Sequence, residues 1–198
     1  MTSYILILFA YLLGSVPVGV ILARIKGTDP RKVGSGNIGA TNVMRAAGKA
    51  TGILTLVGDT LKGFLPIVIA SVFNEPRIVI GVVGLAAFLG HLFPVFLKFK
   101  GGKGVATALG VYLALDPFAV LIDVIVFVLV LLKWRFVSLG SLVGVAFMPL
   151  LLYLLHAPDH YMYLALIIGV FIFIKHNDNI RRLFAGTENK IGRSKDGN

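Results

Sequence analysis

Residues 4–23 read YILILFAYLLGSVPVGVILA, an uninterrupted uncharged block that ends at Arg24. Crossing about 30 Å of hydrocarbon takes roughly 20 apolar residues in helical form, so this block suffices for one span. No basic segment precedes it and no small-residue cleavage site follows, so it is expected to be retained rather than removed as a leader. Similar apolar blocks recur along the chain. The expected spans run approximately over residues 4–23, 52–73, 78–97, 105–115, 118–132, 136–155 and 161–174. The fourth is short, and the fourth and fifth, joined at Asp116-Pro117, read either as two spans or as one long broken one.

Composition points the same way. Hydrophobic residues make up 57% of the 198 positions and charged residues 14%, and the mean hydropathy is +0.91. That is too apolar for an ordinary soluble domain and defines an all-α, polytopic integral membrane protein. The polar stretches 24–49 and 175–198 are too short, and too rich in Gly, Asn and Lys, to bury a core of their own. They are membrane-proximal loops, so residues 1–198 form a single membrane-embedded domain whose end, 193–198, is expected to be variable or frayed. The absence of cysteine excludes disulfides, thiolate catalysis and thiolate metal sites.

The net charge of +10 would suggest nucleic acid in a soluble protein. Here the cations lie in short loops beside apolar spans, with no interleaved aromatic-basic module, so no nucleic-acid partner is expected. Under the seven-span reading, the loops after odd spans and the tail carry 17 of the 19 Lys and Arg residues. Arg77 lies on the opposite side and Lys62 within the second span. Cations favour the cytoplasmic side, which places the N-terminus outside and the C-terminus in the cytoplasm. Merging the fourth and fifth spans would put Lys133 and the tail cations on the side opposite the earlier cationic loops, which favours seven.

Ionisable residues inside spans cost several kcal/mol unless paired or hydrated. Asp59 and Lys62 are three apart on one helical face and can pair, either as a self-neutralising surface pair or as a substrate-facing one. His91, between Gly90 and Leu92, reads as a hydrogen-bonded packing residue, and Asp123 has no evident partner.

Three polar clusters interrupt the apolar pattern, and the charge rule puts all of them on the cytoplasmic side. In Ser35-Gly36-Asn37-Ile38-Gly39-Ala40-Thr41-Asn42-Val43-Met44-Arg45, glycines let backbone amides approach a ligand while Ser35, Asn37, Thr41 and Asn42 add neutral donors and acceptors. A helix starting near Ala40 would set Thr41 and Arg45 on one face beside its N-terminus, a good seat for phosphate. A plain glycine-rich loop capped by Ser, Thr and Asn is the alternative. The second cluster, Gly101-Gly102-Lys103-Gly104, stands directly before an apolar helix and can aim amides and an ammonium at a phosphoryl oxygen. It lacks Walker A spacing, and basic residues also end helices at the inner leaflet. The third runs from His176 through Asn179, Arg181 and Arg182 to Glu188 and Lys190. His176 and Asn179 share a face if the last span continues inward, and His176 can act as acid, base or neutral donor. A solvated basic tail is the alternative. No second histidine stands at ligand spacing, so no metal site is expected. A G-x-S-x-G elbow, H-E-x-x-H and a His-x-x-x-x-Asp acyltransferase pair are also missing.

These three segments, with Gly-Gly-Lys-Gly-Val-Ala-Thr at 101–107 and His-x-x-Asn-Ile-x-Arg-Leu-x-x-Gly-x-Glu-x-Lys at 176–190, resemble in order the motifs of the bacterial acylphosphate-dependent glycerol-3-phosphate acyltransferases. The resemblance implies a seven-helix enzyme of the bacterial inner membrane with its active site at the cytoplasmic face. It would move a fatty acyl group from acyl phosphate to the sn-1 hydroxyl of glycerol 3-phosphate, releasing lysophosphatidic acid and inorganic phosphate. It also implies catalytic roles for Ser35, Lys103, His176 and Asn179. Substrate binding would fall to Gly36, Asn37, Gly39, Thr41, Asn42, Arg45, Gly102, Gly104, Arg182 and Glu188. The expected partners are glycerol 3-phosphate, fatty acyl phosphate and membrane lipid, with no cofactor, metal or obligate protein partner. All three clusters are expected to meet in one cradle for negatively charged oxygens. A small transporter or channel for phosphorylated solutes is the rival reading, since glycine-rich breaks and helix N-termini suit that role too.

Overall fold

The computed structural model describes residues 2–192, so the tail expected to be variable or frayed lies outside the described residues. Among the described residues all regular structure is helical. The chain divides into two compact units, Met1–Leu115 and Asp116–Asn198.

In the first unit the expected first span is present as Thr2–Ile25 and is made of two helices, α1 (Thr2–Ser15) and α2 (Val18–Ile25). Pro17 causes the break, because it has no N–H to continue the helical ladder. A short 3₁₀ turn, Pro30–Lys32, leads to α3 (Ala40–Ala47), α4 (Lys49–Val72), α5 (Arg77–Leu92) and, after a second 3₁₀ turn at Val95–Leu97, α6 (Val105–Leu115). Helix α4 is the hub, touching each of α1, α2, α3, α5 and α6. Apolar side chains in lipid gain nothing from leaving water, so close backbone approach has to hold the helices together. Helices α1 and α5 meet that way. A Cβ on Gly14 would strike the Ala87 backbone, and one on Gly90 would strike Tyr11 O and Ser15 N. Ala10, Val83, Ala87 and Phe88 are fully buried, whereas Tyr4, Ile5 and Leu8 are exposed, as lipid-facing positions should be.

The second unit holds α7 (Pro117–Trp134), α8 (Val137–Leu154), α9 (Asp159–Lys175) and α10 (Asn177–Phe184). The Asp116 carboxylate accepts the Ala119 amide at 2.9 Å and Pro117 opens α7, so this junction is a true helix start. Arg135, at φ 65°, turns the chain into α8. Gly140 packs against Phe127 and Gly144 against Asp123. One register rises by four as the other falls by four, so α7 and α8 run antiparallel with a one-turn repeat of small-against-large contacts. Asp123, which had no evident partner in the sequence, therefore lies against a glycine of α8.

Five segments are long and apolar enough to cross a membrane: Thr2–Ile25, Lys49–Val72, Arg77–Leu97, Pro117–Trp134 and Val137–Leu154. Helices α9 and α10, bent by 62° at His176, make a sixth if counted as one, and Val105–Leu115 is shorter. The protein is a multi-pass, all-helical membrane protein.

Gly90→Ala should destabilise the first unit by about 1–3 kcal/mol through overpacking. Gly81→Ala in the same helix, where an added Cβ meets nothing within 4 Å, should instead be neutral or stabilise by up to about 1 kcal/mol through helix propensity. Thermal unfolding in detergent compares the two, and equal Tm values would mean that α1 and α5 do not touch as described.

Candidate active site

The first cluster is built around one side chain. Asn42, 2% exposed, donates Nδ2 to Pro30 O at 2.8 Å, Val33 O at 3.0 Å and Asn37 O at 2.8 Å, while its Oδ1 accepts the Ser35 amide at 3.0 Å. An amide offers two N–H groups and two acceptor lone pairs, so these contacts use nearly all of its capacity. Asn42 thus folds the loop rather than presenting its own amide outward. Gly34, at φ +59°, is needed because a Cβ there would strike Asn42 Oδ1. Ser35 and Gly36 are left exposed at the loop tip, with Asn37 half-buried. Helix α3 begins at Ala40 as expected, and Gly39 before it gives no side-chain cap. The Asn42 and Val43 amides both donate to Gly39 O at 3.0 Å, which leaves the amides of Ala40 and Thr41 at the helix start for an anion, with the Thr41 side chain half-buried and Arg45 exposed one turn on. Upstream, the Arg31 guanidinium is engaged with Asp29 at 2.5 Å, and that hydrogen bond holds the Asp29 carboxyl well below the usual carboxylate range.

In the second cluster the chain doubles back onto the end of α5. Gly101 N–H donates to Leu92 O and Gly102 N–H to His91 O, both at 3.2 Å, which satisfies carbonyls the helix leaves open. Those two amides were expected to face phosphate, and they face the helix instead. Gly104 sits at φ +86° against Phe88 and Leu92. Lys103, half-buried, is held between two glycines pressed on α5, directly before the N-terminus of α6.

Asp59 and Lys62 do pair, at 2.9 Å, but they are 2% and 4% exposed, which rules out the surface pair. Nζ of Lys62 also donates to Val16 O at 2.9 Å, at the Pro17 break. His91 Nδ1 lies 3.7 Å from the same Asp59 oxygen.

The third cluster belongs to the second unit. The last span does not continue straight inward, because the chain bends at His176 and resumes as α10. His176 is 3% exposed and its Nδ1 lies 2.9 Å from Ile172 O. A nitrogen facing a carbonyl must carry the proton, so Nε2 is the basic nitrogen of the neutral ring. Asn179 Nδ2 donates to Glu188 Oε1 at 2.7 Å, Arg182 Nε to Oε2 at 2.7 Å and Ser138 Oγ to Oε1 at 2.9 Å. Burial raises the Glu188 carboxyl, but these donors outweigh it and hold the group below the ordinary range. Glu188 therefore locks α10 to the start of α8. Nearby, Ile191 N–H donates to Arg135 O at 2.8 Å, and the Arg135 guanidinium returns a bond to Ile191 O at 3.0 Å. Ser138 was missed in the sequence because a serine 50 positions from its partner has no local signature. Among the described residues no His, Cys, Asp and Glu group could hold a metal ion.

Helical spans interrupted by polar, cation-bearing loops define a multi-pass membrane protein with candidate anion sites. Residues 4–186 match the family described as glycerol-3-phosphate acyltransferase. The chain is 52% identical over 194 residues to the glycerol-3-phosphate acyltransferase of Geotalea daltonii, covering 98% of this chain and 100% of that one. It is 46% identical over 192 residues to that of Aquifex aeolicus, covering 96% and 100%. A crystal structure of PlsY (YgiH), an integral membrane glycerol 3-phosphate acyltransferase in its glycerol 3-phosphate form, superposes with a TM-score of 0.93. It shares 45% identity, covering 97% of this chain and 96% of that one. A second structure, in the lysophosphatidic acid form, gives 0.91 at 44% identity. The chain belongs to the glycerol-3-phosphate acyltransferase family.

Asn42→Asp puts a carboxylate among three carbonyls and should loosen the loop by about 3 kcal/mol. Limited proteolysis within residues 26–39 should accelerate while Tm changes little, and unaltered cleavage would contradict the loop-folding role. Glu188 titrates lower folded than unfolded, so its contribution is full above the ordinary carboxylate range and disappears as pH falls through the depressed folded value. The Tm advantage of the wild type over Glu188→Gln should hold at pH 7 and shrink below about pH 4.

Proposed function

We propose that this chain transfers a fatty acyl group from acyl phosphate to the sn-1 hydroxyl of glycerol 3-phosphate in bacterial phospholipid synthesis, giving lysophosphatidic acid and inorganic phosphate. The observation that carries this reading is the family match over residues 4–186, which includes the first two polar clusters and the third from His176 to Gly186. The transport reading is not favoured, since the relatives found at near-complete coverage are named as acyltransferases.

Both substrates are anions, and acyl phosphate brings its own leaving group. The enzyme's task is therefore to hold two phosphates and stabilise charge during transfer. Arg45, Lys103 and the Ala40 and Thr41 amides at the start of α3 supply positive potential, and Ser35, Asn37 and Thr41 supply neutral hydrogen bonds. The glycines at 36, 39, 102 and 104 keep these stretches of backbone close to a ligand or to α5. His176 and Asn179 orient the glycerol moiety, with Arg182 and Glu188 behind Asn179. In the reaction the glycerol O1 attacks the acyl carbonyl carbon, a new ester C–O bond forms, and the bond from that carbon to the phosphate oxygen breaks. The hydroxyl proton leaves to Nε2 of His176 or to a phosphate oxygen. Residues of all three clusters thus serve one reaction. The enzyme is a seven-span protein of the inner membrane, N-terminus outside, with these residues at the cytoplasmic face and no cofactor or protein partner needed.

Purified protein should form radiolabelled lysolipid from acyl phosphate and not from acyl-CoA. Lys103→Ala and Asn179→Ala should each reduce kcat/KM about 100-fold or more, and near-normal kinetics in both would remove these residues from the site. His176→Ala with retained kcat would assign the proton to the substrate phosphate. With no native cysteine, Gly36→Cys, at an exposed position, should resist an impermeant thiol reagent added outside intact cells, and labelling there would overturn the topology.

A further inference from the structure

The buried charged group of the first unit takes no part in the steps above. Three residues from two helices make it up: Asp59 and Lys62 of α4 and His91 of α5. All three are at most 4% exposed. Burying such groups costs several kcal/mol unless they are held by one another and by backbone, so their arrangement has to be specific.

The group has two ends. At one end Lys62 Nζ, 2.9 Å from Asp59, also donates to Val16 O at 2.9 Å, a carbonyl at the Pro17 break. At the other, Asp59 Oδ1 faces His91 Nδ1 at 3.7 Å, and the opposite nitrogen of the imidazole, Nε2, is the first atom a Cβ on Gly102 would strike. The His91 carbonyl meanwhile accepts the Gly102 N–H at 3.2 Å. Gly102 is thus seated on both the main chain and the ring of His91. Lys103 is the next residue, and Gly104 beyond it rests on Phe88 and Leu92 of the same helix.

We infer that Asp59, Lys62 and His91 form a buried seat that sets the position of the 101–104 loop, and that His91 is a positioning residue for Lys103. The Asp59 carboxylate faces the imidazole electrostatically, the imidazole seats Gly102, and the ammonium of Lys103 is delivered from a loop that cannot shift without moving the ring. The link from loop position to catalysis rests on the role proposed above for Lys103. The link from His91 to the loop does not.

Two measurements separate these links. In a Lys103→Cys protein the introduced thiol is the only one, so its rate of reaction with a charged methanethiosulfonate reads loop position without any turnover. Adding His91→Ala or Asp59→Asn should change that rate about tenfold while Tm stays within a few degrees of the parent, and His91→Asn should restore it in part. Rates within twofold of the parent in both variants would overturn the inference. Should His91→Ala fail to yield folded protein, Asp59→Asn and His91→Asn decide the same question. The second measurement is a size exchange on the native Lys103 background. Gly102→Ala drives a methyl into the imidazole and should lower kcat/KM sharply, but less so when His91→Ala has made room. Equal losses in both backgrounds would show that the ring does not seat the loop. His91→Ala and Asp59→Asn should also move the same kinetic parameter, KM or kcat, that Lys103→Ala moves. An altered thiol rate together with normal kinetics in Lys103→Ala would leave the seat standing and remove Lys103 from the reaction.

Discussion

Hydrocarbon offers no hydrogen bonds, so wherever this chain leaves helical geometry it must bring partners for its own backbone. The Pro17 break is met by Lys62, reaching Val16 O from α4. The end of α5 is met by the amides of Gly101 and Gly102. The loop before α3 is met by Asn42, whose side chain serves Pro30, Val33, Ser35 and Asn37 at once. The bend at His176 is met by its own ring on Ile172 O. Each proposed functional cluster is one of these non-helical places, where polar groups can be kept beside apolar spans because most are already engaged.

This constraint sorts the polar residues into two kinds. Asn42 and Glu188 are spent on internal contacts: the first closes a loop, and the second joins Ser138, Asn179 and Arg182. Ser35 and Arg45 are exposed, and Lys103 is half-buried at the start of a helix. Scaffolding behind and cations in front suit the proposed reaction between two anionic substrates, since hydrogen-bond donors fixed in advance need not reorganise as charge moves. Asp59, Lys62 and His91 extend the scaffolding one layer deeper. They tie the break in the first apolar block to the loop that carries Lys103.

The clusters themselves were legible in the sequence because glycine, asparagine and lysine stand out against an apolar background. Motif order led to the family, and hydropathy located the long helices. Helix starts near Ala40 and at Val105 matched the sequence reading, and the junction at Asp116-Pro117, left open between two spans and one broken one, is a helix start. Several details differ from the sequence reading. The first span holds a break at Pro17, which hydropathy ignores; the surface alternative for Asp59 and Lys62 falls because the pair is buried; the Gly101 and Gly102 amides face α5; and the last span bends at His176. Spacing shows that two side chains share a helical face, but not what that face packs against.

Composition and local pattern thus determined by themselves that this is a helical membrane protein with three anion-suited segments, because apolar length and glycine-rich punctuation are properties of short windows of chain. Tertiary structure alone decided which polar atoms are consumed and which are presented. That Gly102 leans on His91, or that Ser138 meets Glu188 from 50 positions away, depends on helices brought together by packing. Close contact between distant segments leaves no periodic trace in either one.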